Sequence, residues 1–202
     1  MDEASRESVE RAARGDAEAI RHLLRAHMAG LRAYVRLRMG PELRAKESSA
    51  DLVQDVLLEA LQDLDQVEYR GEAAFKHWLY TRAEHRIVDR ARFYKRAKRD
   101  AEREVSQDAA SRAEAERELL ACYRTFLTPS RHASAREELE RAERAFAKLP
   151  PDYREVILLA RIVGLSPAEI AERTGRSRSA VNTLYSRALA RLSSLLREPG
   201  PP

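Results

Sequence analysis

The sequence predicts an all-α protein built as two small helical domains joined by a linker. Three observations carry that expectation. Charged residues make up 35% of the 202-residue chain and aromatics only 6%, with seven glycines, and long Ala/Leu/Arg/Glu runs favour helix over sheet. Apolar residues recur at three- and four-residue spacing through most of the sequence. That spacing fades after Asp100: from there to Glu118 seven Asp/Glu stand against three Arg, and Pro129-Ser130 follows. The expected division is a domain over 1–100, a linker over 101–133 that is partly helical at best, and a domain over 134–202.

In the first domain, Ile20, Leu23, Leu24, His27, Leu31, Tyr34 and Val35 fall on one face of a helix that Asp16 caps and Gly40-Pro41 stops. A second helix runs from about Ser49 to Leu64, with Leu52, Val53, Val56, Leu57, Ala60, Leu61 and Leu64 as its buried stripe. Asp51, Gln54, Asp55, Glu59 and Gln62 point the other way, with Leu58 among them. A leucine exposed inside an acidic face reads either as a docking surface for a basic partner or as an ordinary exposed apolar residue. After the loop "DQVEYRGE", a third helix runs from about Glu72 to near Arg99 and grows increasingly basic. Phe75 and Trp78 near its start read either as core or as aromatics that hold unstacked bases.

In the second domain a helix begins near Ser134, Pro150-Pro151 ends it and opens the next, and Gly164 stops that one. Ser166-Pro167-Ala168-Glu169 is a capping box with proline at the first helical position. Gly175 ends this short helix in the place of a left-handed turn residue, and Ser177 caps a last helix through Leu196. Ala171 is small where two helices cross, and Val181 is branched and apolar where the second packs on the first. Together with Gly175 they predict a helix-turn-helix, with a plain helical hairpin as the alternative.

The faces of the last helix favour the first of these. Val181, Leu184, Ala188, Leu192 and Leu195 cluster on one side, and Ser179, Asn182, Thr183 and Ser186 almost opposite, flanked by Arg178 and Arg187. An ordinary solvated face would mix Glu and Lys; short polar side chains beside arginines suit base edges and phosphates in a major groove.

Charge is sorted along the chain. Residues 82–99 carry eight Arg/Lys against two acids, and residues 173–197 carry six arginines and no acid, so with a net charge of +4 the remainder is acidic. Two basic patches on an acidic protein point to a polyanionic partner, or to two solvated faces. Cys122 is the single cysteine, no signal-peptide pattern opens the chain, and no run approaches a membrane span; a cytoplasmic protein without a membrane role is expected. His22, His27, His77, His85 and His132 have no metal-ligand spacing, and no phosphate-binding glycine loop or nucleophile motif occurs. The expectation is a non-enzyme with no metal and no cofactor.

"DLVQDVLLEAL" at 51–61, "F..WLY" at 75–80, "D..R" at 89–92, and "LPPDYREVILL" followed by "GLSPAEIAERTGRSRSAVNTLYSRAL" resemble, in order and spacing, the extracytoplasmic-function subgroup of bacterial RNA polymerase sigma factors. The resemblance runs from about residue 16 to 196. It implies a first domain for the promoter's minus-10 element, a second for the minus-35 element, and a linker that threads the polymerase. Core RNA polymerase, promoter DNA and an anti-sigma factor are the implied partners.

By that resemblance Asp51, Gln54, Asp55, Leu58 and Glu59 dock on the polymerase. The loop from Gln66 to Ala74, with Tyr69 and Arg70, captures a flipped minus-10 base, and Arg82, Arg86, Arg90, Arg92, Lys95 and Arg96 support the opened strand. Arg176, Arg178, Ser179, Asn182, Thr183, Ser186 and Arg187 meet the minus-35 element. His85 stands where relatives usually carry asparagine, and Asn182 and Leu184 where many carry basic residues. A free-standing helix-turn-helix regulator with a sensing or dimerising first domain is the alternative reading.

Overall fold

The computed structural model describes residues 11, 14–63, 72–96, 109–124 and 134–198, and every regular element among them is a helix. The chain divides into two compact units, Met1–Glu104 and Val105–Pro202.

The first unit packs three helices: α1 (Ala17–Arg44), α2 (Ser49–Gln62) and α3 (Glu72–Arg96). Asp16 caps α1 by accepting from the N–H groups of Glu18 and Ala19 at 2.9 and 3.3 Å, which satisfies two of the donors a helix start leaves orphaned. Ser48 does the same for α2, accepting from Ala50 and Asp51. Leu31, Val35, Leu52, Val56, Leu79 and Ala83 are completely buried where the three helices meet. Tyr34 and Tyr80 cross edge to face there, 5.0 Å between ring centroids, a geometry aromatic pairs prefer.

Gly40-Pro41 breaks α1 as expected: Gly40 takes a non-helical φ of 68° and kinks the chain, and a short renewed helix follows to Arg44. Proline fits there because the first turn of a renewed helix has no use for its missing N–H, and Leu43 closes the turn by burying itself. One expectation in this unit is corrected: the stripe of α2 is narrower than expected, since Leu57 is only half-buried and Leu61 is 41% exposed. Leu64 lies outside the described residues.

The second unit contains α4 (Ala109–Tyr123), α5 (Ala135–Ala147), α6 (Pro151–Ile157) continuing as a wider π turn over Leu158–Val163, α7 (Pro167–Thr174) and α8 (Arg178–Arg197). The expected linker over 101–133 contains a helix, α4, that packs on α5: Leu119, Leu120 and Tyr123 are buried, and the Tyr123 hydroxyl donates to the Glu143 carboxylate of α5 at 3.1 Å. Three buried residues on one turn are enough to dock a helix whose preceding sequence is too acidic to show an apolar period.

Local chemistry places α7 and α8 as expected. The Ser166 hydroxyl accepts from Glu169 N–H, and the Glu169 carboxylate accepts from Ser166 N–H at 2.7 Å. Gly175 ends α7 at φ 65°, and the Arg176 N–H returns to the Ala171 carbonyl at 3.0 Å; only glycine adopts that left-handed backbone without strain. Ser177 accepts from Ala180 N–H and starts α8.

Candidate nucleic-acid and polymerase interfaces

α8 presents two opposite faces. Val181, Ala188, Leu192 and Leu195 are buried against the second unit, and α8 packs on both α6 and α7. Arg178, Ser179, Asn182, Thr183, Ser186 and Arg187 are all exposed. The side chains that could meet bases therefore stand on a rod whose opposite side is fixed by core packing, the arrangement that lets a recognition helix enter a groove without reordering.

Arg176 is already engaged: its guanidinium donates to Asp152 at the start of α6, 2.6 Å away, which ties the turn between α7 and α8 to the preceding helix. One pair on this surface was not foreseen. Arg161 lies over the Tyr185 ring at 5.5 Å, joining the π turn to α8 by a cation–π contact. Residues 24 apart in sequence, on different elements, leave no periodic signal of such a meeting.

On α3 the structure separates the six expected basic residues into two groups. Arg82 pairs with Asp63 at 2.5 Å and lies over the Trp78 ring at 4.7 Å. Arg86 pairs with Asp55 at 2.6 Å and Glu59 at 3.2 Å, and Arg90 donates twice to Glu47, at 2.6 and 2.8 Å. Hydrogen bonds to Asp55 and Glu47 raise the pKa of Arg86 and Arg90 respectively. These three guanidinium groups thus face carboxylates on α2, at its ends or just before it. Arg92, Lys95 and Arg96 form the second group and are exposed.

The aromatic alternatives on α3 also separate. Phe75 is core, 2% exposed, whereas Trp78 is half-buried beneath Arg82. His85 is exposed. Tyr69 and Arg70 lie outside the described residues.

The acidic face of α2 carries both kinds of neighbour. Asp51, Gln54 and Leu58 are exposed, with Leu61 beside them, while Asp55 and Glu59 are half-buried by their pairing with Arg86. The outward residues could meet a partner, and the inward carboxylates hold α3.

No helix among the described residues is long and apolar enough to cross a membrane.

Comparison with known proteins agrees with this geometry. Residues 23–97 match sigma-70 region 2 and residues 139–192 match sigma-70 region 4. The chain is 30% identical over 184 residues to the ECF RNA polymerase sigma factor SigD of Mycobacterium tuberculosis, covering 91% of this chain and 80% of that one. It is 29% identical over 193 residues to the RNA polymerase sigma factor NccH of Alcaligenes xylosoxydans xylosoxydans, covering 93% and 91%. Among solved structures, CnrH in complex with the cytosolic domain of CnrY superposes with a TM-score of 0.53 at 29% identity, covering 96% of this chain and 97% of that one. The Bartonella quintana sigma factor RpoE, solved with the anti-sigma factor NepR, shares the fold at a TM-score of 0.55 and 22% identity, covering 89% and 97%.

Proposed function

The chain belongs to the extracytoplasmic-function family of RNA polymerase sigma factors, and from that premise we propose how its two units divide promoter recognition. It is an alternative sigma factor that binds core RNA polymerase and directs it to promoters. In our reading the α7–α8 pair recognises the minus-35 element in duplex form. Ser179, Asn182, Thr183 and Ser186 read base edges, while Arg178 and Arg187 take phosphate or guanine. The acid-free, exposed stripe of α8 opposite its buried seam is the observation that carries this reading.

The first unit takes the minus-10 element. Arg92, Lys95 and Arg96 at the end of α3, together with Tyr69 and Arg70, meet the opened strand. Asp51, Gln54, Leu58 and Leu61 on α2 dock on the polymerase, with the acids oriented toward basic partner residues. Arg82, Arg86 and Arg90 hold the docking helix and the DNA helix in register, so they act on DNA through geometry, and Arg176 fixes the turn that aims α8. Residues 1–100 and 134–202 serve as the two recognition domains, with the intervening segment connecting them inside the polymerase. Two modest interfaces on one enzyme raise the effective concentration of each at a bipartite site.

An anti-sigma factor is the proposed inhibitory partner, in the cytoplasm where the polymerase works, and the protein itself catalyses no reaction. Run-off transcription tests the whole reading. Core enzyme plus this protein yields a transcript from a defined start on a cognate promoter, and each component alone yields none.

A further inference from the structure

Four large apolar side chains stand exposed among the described residues, all in the first unit: Leu58 and Leu61 on α2 at 58% and 41%, and Val88 and Phe93 on α3 at 37% and 54%. Their surroundings have opposite charge. The leucines lie among Asp51, Gln54 and Gln62, whereas Phe93 shares its side of α3 with Arg92 and Arg96. The second patch therefore suits an anionic partner that also offers apolar surface.

Helical geometry puts Val88 and Phe93 about 140° apart around α3, with Arg92, Arg96 and Asp89 between them. Asp89 is offset by Arg92, 3.6 Å away. The rear of the patch is built. Glu47 is buried, 8% exposed, and fixes the Arg90 guanidinium. That guanidinium lies 5.7 Å from the ring centroids of both Phe93 and Tyr94, and Tyr94 meets Phe93 edge to face at 5.3 Å. Phe93 is thus braced from behind by an anchored cation and a second ring, although more than half of it faces solvent.

Duplex DNA hides its base faces in the stack, so an exposed aromatic gains little from it. An unpaired strand offers phosphates and π-faces together, and a ring on a cationic groove is the general device for holding one. We propose that Phe93 is a stacking platform for an unpaired base of the opened promoter strand, with Arg92 and Arg96 holding the adjoining phosphates. The inference rests on the sigma-factor reading and adds a residue that none of the family's sequence motifs picked out in this chain.

The test uses holoenzyme reconstituted from core and full-length protein, with a labelled single-stranded oligodeoxynucleotide carrying the non-template minus-10 sequence of a promoter it transcribes. The same sequence as duplex is the control. Phe93→Ala is expected to weaken single-strand binding by about 10-fold, the ordinary loss when one stacked ring is removed, and to leave duplex binding unchanged. Phe93→Trp retains binding, and Phe93→Leu does not, because an aliphatic side chain fills the space without a π-face. Equal binding by the Leu variant and wild type overturns the proposal, as does an equal loss on duplex. A loss confined to core binding also overturns it and assigns the patch to a protein partner. If wild type transcribes while Phe93→Ala binds the strand normally, stacking alone fails; if wild type does not transcribe, the parent reading fails and the inference falls with it.

Discussion

Arg86 reaches back 31 residues to place its Nη2 2.6 Å from an Asp55 carboxylate oxygen, with Nη1 3.2 Å from Glu59. One side chain expected on the DNA surface and two expected on the polymerase surface pair with each other in the structure. The consequence is a mechanical link between the two working helices. Arg86→Ala and Asp55→Ala are each expected to destabilise the first unit, with a coupling of about 1 kcal/mol in a double-mutant cycle on the free protein, as for a partly exposed pair. Urea unfolding of the two single variants and the double checks it. Additive effects would deny the link.

Salt dependence separates the two groups of basic residues on α3. Arg92→Ala is expected to reduce the slope of log affinity against log salt by about 1, the signature of one lost phosphate contact. Arg86→Ala leaves that slope unchanged. Holoenzyme titrations on a forked promoter fragment at several salt concentrations provide the comparison.

Acid should loosen the helix-turn-helix through its capping box. Hydrogen bonds from the Ser166 hydroxyl and backbone N–H hold the Glu169 carboxyl below its usual pKa. A depressed carboxyl gives stability that is fully present above the unfolded value near 4.3 and is lost as pH falls through the lower folded value. Glu169→Gln should remove that acid step from thermal unfolding curves recorded between neutral pH and pH 3. Ser166→Ala should cost about 1 kcal/mol at neutral pH, the ordinary loss for a helix cap.

Gly175 offers a test of the turn alone. A Cβ added there meets nothing within 4 Å, while φ stays at +65°, so substitution strains the backbone and creates no clash. Gly175→Ala is expected to lose about 1 kcal/mol in thermal unfolding. Gly175→Asn loses less, because asparagine tolerates the left-handed region.

Asn182 should discriminate bases. Asn182→Ala is expected to lower affinity by about 1–3 kcal/mol for the preferred base pair at one minus-35 position and to equalise the alternatives there. Competition between promoters that differ at single positions reads this out, with core binding unaffected.

Much of this architecture was legible in the sequence because its signals are local. Asp16, Ser166, Glu169, Gly175 and Ser177 act within one turn of their partners, so spacing alone gives their roles. The buried and exposed faces of α8 follow from a single period. What escaped was long-range. The carboxylates that engage Arg82, Arg86 and Arg90 lie 19 to 43 residues earlier, on or flanking α2, so a run of arginines on α3 read as free charge. α4 escaped for the reverse reason: its packing is concentrated in Leu119, Leu120 and Tyr123, too few residues to outweigh the acids before them. Leu61 kept its place in a period but not its burial.

Promoter binding measured with and without core polymerase tests the central claim most directly. A labelled duplex bearing both promoter elements should bind this protein weakly and salt-sensitively by itself, then form a tight complex and a start-specific transcript once core is added. Equally tight, sequence-specific binding with no core present, and no transcript on adding it, would contradict the division of labour between α2, α3 and α8.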